Sequence, residues 1–155
     1  MGYTPQDAPE LPALDPGLTL LEAGDRVTGA LQSLVLDQVL EHGEAVWIDA
    51  KGRAKTQYLA SIAPSMRVLE RVSVARAFTP FQHFALVGDV HAHLDDDTSV
   101  LVVPEVDWFY GEDDLRRGEG EAMLTAVLDG LATLGDTYDV PVLLTRSRPD
   151  DLGAT

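Results

Sequence analysis

The sequence predicts an α/β fold of three layers, a parallel sheet of five strands with helices on both faces. Three observations predict it. Short apolar runs alternate with segments whose apolar residues recur near a 3.6-residue period. That strand–helix order repeats along the chain, and right-handed crossovers assemble such repeats into one parallel sheet. The run Ser99-Val100-Leu101-Val102-Val103 is apolar at both parities, as a strand buried on both faces requires.

Residues 1–17 read as an extended arm, because Pro5, Pro9, Pro12 and Pro16 deny it a helix. Residues 18–155 read as a single core domain. Leu18 to Glu22 is the first strand. Thr28 to His42 is the first helix, with Leu31, Leu34, Val35, Val39 and Leu40 on its apolar side and Gly43 as its stop. Ala45 to Asp49 is a second, buried strand that ends on an aspartate. Ala54 to Ile62 reads as a helix stopped by Pro64, and Val68 to Ala77 as a third strand. Pro80 suits the first turn of a helix running to Leu94. Asp95-Asp96-Asp97 is a turn, and Ser99 to Val103 the fourth strand. Trp108 to Gly118 is a polar loop, Glu119 to Leu134 the fourth helix, and Val140 to Thr145 the fifth strand. Arg146 to Thr155 is a polar tail. In such folds ligands sit at the carboxyl ends of the strands, so function is sought there.

A chain of 155 residues is large enough for one real core. It has no cysteine, which excludes disulfides, thiolate metal sites and cysteine nucleophiles. No apolar run reaches the length of a membrane span, and the amino terminus lacks a signal-peptide pattern. The expectation is a cytoplasmic protein. The net charge is −15, from 26 acidic and 11 basic residues. That balance argues against direct nucleic-acid binding, because phosphate contacts need Lys and Arg. Only two of the basic residues are lysines. Such an Asp-rich, Lys-poor surface resembles halophilic proteins, whose self-repulsion is screened in molar salt over about 3 Å. Three histidines, His83, His91 and His93, lie near Asp95 to Asp97, but His91 and His93 are two apart on a helix and share no face. They read as solvated surface, and no metal is expected.

The turn after the first strand holds Gly24-Asp25-Arg26-Val27-Thr28-Gly29-Ala30-Leu31. Two glycines at this spacing, between strand and helix, form the frame of a phosphate-binding P-loop, G-x-x-x-x-G-K-[ST]. Ala30 stands at the lysine position and Leu31 at the hydroxyl position. Further on, Val46-Trp47-Ile48-Asp49, Val74-Ala75-Arg76-Ala77-Phe78, Leu101-Val102-Val103 and Tyr138-Asp139-Val140-Pro141-Val142-Leu143-Leu144-Thr145 follow in order. Together they resemble the core strands of the RecA family, in its archaeal RadA and eukaryotic recombinase branch, over about Leu18 to Asp150.

The resemblance implies a RecA-like fold with strand order 3-2-4-5-1. It also implies that the catalytic positions are replaced. The phosphate-binding lysine is Ala30 and the magnesium-holding hydroxyl is Leu31. The water-activating glutamate is Lys51. The aspartate after the fourth strand is Pro104, with Glu105 and Asp107 close by. The nucleotide-sensing pair after the fifth strand is Arg146-Ser147. Phosphoryl transfer rests on positioning and charge stabilisation, so the expectation is a degenerate, truncated RadA paralogue of haloarchaeal type, with no enzyme activity and no cofactor. No Phe-x-x-Ala motif precedes the core, and the sequence ends just past the fifth strand. It is therefore not expected to build a recombinase filament by itself.

Two surfaces remain for protein contacts. In the family, the third strand lies at the sheet edge and accepts a neighbour's Phe-x-x-Ala segment by strand addition. Val74, Ala75, Arg76, Ala77 and Phe78 form that edge here. Ala75 and Ala77 share a face and either leave room for an aromatic anchor or pack beneath the third helix. The implied order also puts the first strand at an edge, to be covered by the arm or by a second copy in a homodimer. Trp108-Phe109-Tyr110 is either core cover or a partner patch. Arg116-Arg117-Gly118 lies among acidic residues and reads as a charged loop. The leading expectation is a non-catalytic protein that contacts a recombinase or another repair component. The alternatives are a regulator of cell division of the SulA type, acting on a tubulin-like polymer, and a divergent nucleotide-binding protein.

Overall fold

A computed structural model describes residues 14–22, 29–111 and 115–147 of the chain. Its described residues contain five strands and five α-helices, with two short helices between β2 and β3: β1 (Gly17–Leu20), α1 (Ala30–Glu41), β2 (Glu44–Ala50), α2 (Tyr58–Ile62), α3 (Met66–Leu69), β3 (Val72–Ala77), α4 (Pro80–Asp89), β4 (Thr98–Val103), α5 (Glu119–Tyr138) and β5 (Pro141–Leu144). The strands form one sheet in the order β1-β5-β4-β2-β3, with every neighbouring pair parallel. This is the expected order 3-2-4-5-1, read from the other edge.

The core lies in two layers set by strand parity. On one face α1 contributes Leu34, Val35 and Val39, which pack with Trp47, Val100, Val102 and Leu143. On the other, Val87 from α4 and Val127 and Leu131 from α5 pack with Ile48, Leu101, Val103, Val142 and Leu144. Val100 to Val103 are fully buried, as the continuous apolar run of a central strand demands. The α1 helix is tied down by polar contacts too. Gln32 Nε2 donates to the Ala54 carbonyl at 2.6 Å, and Gln38 Nε2 to the Ser99 carbonyl at 3.0 Å.

Two helices show why their sequences start and stop where they do. At α4, Thr79 Oγ1 accepts the Gln82 N–H at 3.1 Å, and Gln82 Oε1 accepts the Phe78 N–H at 2.8 Å. This is a reciprocal cap of the Thr-x-x-Gln kind, with Pro80 in the first turn. At the end of α5, Asp139 turns left-handed at φ 54° and Val140 N–H bonds the Gly135 carbonyl at 3.1 Å. A Cβ at Gly135 would sit 2.9 Å from Gly17 Cα, so α5 meets β1 backbone to backbone and only glycine fits.

Several boundaries differ from expectation. The second helix does not begin at Ala54. Residues 51–57 are turns, with Lys51 and Lys55 at positive φ, and α2 is only five residues long. The third strand does not begin at Val68, because Met66–Leu69 form a helical turn capped by Ser65 Oγ. The third helix is α-helical only to Asp89, and Val90–His93 tighten to a 3-10 turn. The fourth helix runs on to Tyr138, since Leu131, Leu134 and Gly135 continue its inward face. The Trp108 to Gly118 segment is not all loop, because Trp108–Gly111 form a 3-10 turn. No helix among the described residues is long and apolar enough to cross a membrane.

Candidate functional site at the strand ends

The carboxyl ends of β2, β4 and β5 converge on one polar cluster. Asp49, next to last in β2, is fully buried. Its Oδ2 accepts the Gly52 N–H at 2.6 Å and Arg76 Nε at 2.8 Å. Arg76 reaches on to Thr56 Oγ1 at 2.8 Å. The carboxylate thus folds the 51–57 turn back on itself, which explains why that stretch is not a helix.

After β4, Glu105 adopts φ 46°, and its side chain meets Arg53 at 2.9 Å. The Arg53 guanidinium lies 4.7 Å from the Trp108 ring centroid, and Lys51 Nζ lies 5.7 Å from the same ring. The loop after β5 closes the cluster. Glu105 N–H donates to Thr145 Oγ1 at 2.8 Å, and Ser147 N–H donates to Asp107 Oδ1 at 2.8 Å. Ser147 Oγ reaches Glu105 Oε1 at 3.3 Å. Arg146 points away and pairs with Glu22 at 2.6 Å, both side chains exposed.

At the amino end of α1, Gly29 is left-handed at φ 85° and caps the helix without a side-chain acceptor. The Tyr58 ring packs so closely there that a Cβ at Gly29 would collide with it. Ala30 and Leu31 follow, and Leu31 packs against the α1-side core. Gly24 and the rest of the glycine turn fall outside the described residues.

These residues do not fit a magnesium–nucleotide. The carboxylate nearest the end of β4 is taken up by Arg53 and Ser147, Pro104 is buried and carries no donor, and the Tyr58 ring packs against Gly29 at the amino end of α1. No group of three His, Asp or Glu among the described residues could hold a metal ion. What the arrangement can do is lock three strand ends together by charge and stacking.

The aromatic triplet is core cover, not a partner patch. Phe109 and Tyr110 are buried and Trp108 is half-buried, because the 3-10 turn folds under α4. His83, on α4, shares a 2.7 Å hydrogen bond with the Tyr110 hydroxyl and stacks beside Phe109. Burial lowers the His83 pKa to about 4, opposed in part by the Asp49 carboxylate, and burial pushes Tyr110 up. His83 is therefore interior rather than solvated surface, whereas His91 and His93 are exposed.

On the β3 edge, Ala77 is fully buried with Ala50, Phe109 and Leu86, so it offers no room for an aromatic anchor. Ala75 is half-buried, and Val74, Arg76 and Phe78 are exposed. Sequence reasoning missed the Arg53–Trp108–Glu105 cluster, the Tyr58 cover and the His83–Tyr110 pair. Each joins residues about 25 to 55 positions apart, and short-range patterns carry no sign of them.

A family model described as Rad51 matches residues 27–154. Similar curated proteins include DNA repair protein RAD51 homolog 1 of Arabidopsis thaliana and DNA repair protein RAD51 homologs A and B of Zea mays. Each is 32% identical over 122 residues, covering 73% of this chain and 36% of the relative. The chain thus spans little more than a third of the length of those relatives.

Proposed function

Because the chain belongs to the Rad51 family, with its RecA-like core, we propose that it is a non-catalytic member acting through protein contacts on a recombinase or another DNA-repair component. One observation carries the reading: Arg53, Glu105 and Trp108 engage one another at the carboxyl ends of the strands, and Tyr58 packs against Gly29 at the amino end of α1. Ala30, Leu31, Lys51, Pro104 and Arg146 support it, since each stands where the family resemblance calls for a phosphate, metal, water or nucleotide-sensing group. Phosphoryl transfer has little covalent chemistry to offer beyond such groups, and their joint loss removes its basis.

The contact surface in this reading is the β3 edge. β3 is the last strand of the sheet, and edge backbone is a template for an added strand. The test is capture of a full-length Rad51-family recombinase by the wild-type chain and by an Ala75→Trp variant. Saturable capture that weakens at least about tenfold in the variant is expected, about 1.4 kcal/mol. Equal capture, or capture of a tubulin-like polymer instead, would overturn it.

A further inference from the structure

Three of the chain's four phenylalanines lie in the open. Phe81 and Phe84 are 58% and 39% exposed on α4, and Phe78, 57% exposed, stands just ahead of its cap. Large apolar groups gathered in one place mark a contact surface, where scattered ones do not. This surface is also without charge. From Phe78 to Gly88, eleven residues pass with no Asp, Glu, Lys or Arg, in a chain of net charge −15.

Beside this ridge lies an open groove of about 470 Å³ between α4 and α5. Phe84, Gly88 and His91 line it from one side, and Gly130, Leu134 and Tyr138 from the other. Phe81, Phe84, Gly88 and His91 follow at helical spacing, so they form one stripe along α4 and the turn after it. The stripe is bulky at its amino end and bare further on. A Cβ at Gly88 or at Gly130 would meet no atom within 4 Å, so packing among the described residues requires neither glycine. Each weakens its helix, and each leaves backbone bare on a wall of the groove.

We propose that this face joins two copies of the chain about a two-fold axis, with α4 crossing its counterpart in the antiparallel sense. That rotation sets the bulky end of each stripe on the bare stretch of the other. Phe81 and Phe84 of one copy enter the groove of the second, over Gly88 and Gly130, and the second copy does the same in return. The inference goes beyond the reading above and holds whatever the β3 edge binds.

Three features select a second copy as the occupant. The first is shape: ridge and recess share one helix, about 6–10 Å apart along its axis, and a two-fold fills both at once. The second is charge. Repulsion between copies of net −15 confines self-association to a face poor in carboxylates. Asp129 is the one carboxylate in the groove's lining, and His91 stands on the opposite wall. The third is area. The half-exposed rings of Phe81, Phe84 and Tyr138 in two copies offer on the order of 600 Å². Buried against an equal area of the opposing copy, they reach about 1,200 Å², the lower end for a specific interface.

The experiment is sedimentation velocity of the full chain over a concentration series, for wild type, Phe81→Glu and Gly130→Leu. Phe81 lies exposed in the first turn of α4, where a carboxylate suits the helix dipole. Leucine at Gly130 meets open space and favours the helix. Melting temperatures should therefore hold for the first variant and rise for the second. If Gly130→Leu melts low, Gly88→Leu plugs the other wall in its place. Wild type is expected to be a dimer that tightens between about 0.15 M and about 1 M salt, as screening relieves the repulsion. Each variant should raise the dimer's dissociation constant at least about thirtyfold. An equimolar mixture of the two variants should regain dimer, because the intact Phe81 of one meets the open groove of the other. Wild type that stays monomeric, a dimer unmoved by the variants or loosened by salt, or a mixture no more dimeric than its components would overturn the proposal.

Discussion

The carboxyl ends of the strands and the β3 edge are two faces of one sheet with opposite states of satisfaction. At the ends, Asp49 Oδ2, Glu105, Thr145 and Ser147 find donors or acceptors within the chain, Asp49 Oδ1 alone of these being buried without one among the described residues, and Arg53 and Trp108 stack over what remains. At the edge, Ala45 N–H and Lys51 N–H bond the Arg71 and Ala77 carbonyls, so parity turns the backbone groups of Val72, Val74 and Arg76 outward, with no strand beyond them among the described residues. Buried polar groups that pair internally stabilise a structure, while unpaired edges recruit partners. In the proposed reading, the sheet keeps its topology while the working surface moves from strand ends to strand edge.

The comparison breaks first at the closed face. Phe109 is buried between His83 and Trp108. Phe109→Ala should cost about 3–5 kcal/mol by chemical denaturation, and a loss below about 1 kcal/mol would mean the turn is not part of the core. The same face carries a pH dependence. The His83 pKa falls from 6.5 to about 4 on folding, so between those values the unfolded chain binds more protons. Stability contributed by this group is therefore full above about pH 6.5 and is lost as pH falls toward 4, by about 3 kcal/mol. His83→Gln should flatten that slope in urea melts at stepped pH, with Asp49 and Tyr110, the groups facing the ring, left unchanged.

The open face is sharpened by a pair of prolines. Ala75→Pro removes a ladder bond to β2 and should cost about 3 kcal/mol, whereas Val74→Pro should stay within about 1 kcal/mol. Equal losses would mean that the outward parity of Val74 is misassigned. The smallest effect belongs to the partly exposed Arg53. Arg53→Ala removes a charge-assisted bond and a stacking contact, for about 1 kcal/mol. A double-mutant cycle with Glu105→Gln measures their coupling.

Much of this was legible beforehand. Alternating apolar runs and helical periods marked all five strands, because the two periodicities differ sharply. The strand order came with the family resemblance rather than from the periods. Short-range reading failed where a tertiary contact overrode local pattern. Residues 54–57 resemble a helix start, but Asp49 bends that stretch into turns. Trp108 to Tyr110 resemble an exposed aromatic patch, but α4 supplies a histidine beneath them.

The central claim is that the strand ends are closed to nucleotide. A ligand that binds only the folded chain raises its stability, by about 2.7 kcal/mol at a hundred times its dissociation constant. The most direct measurement is the melting temperature of the wild-type chain with and without saturating magnesium–ATP. No shift is predicted. A rise of several degrees, reversed by removing the magnesium, would contradict the account.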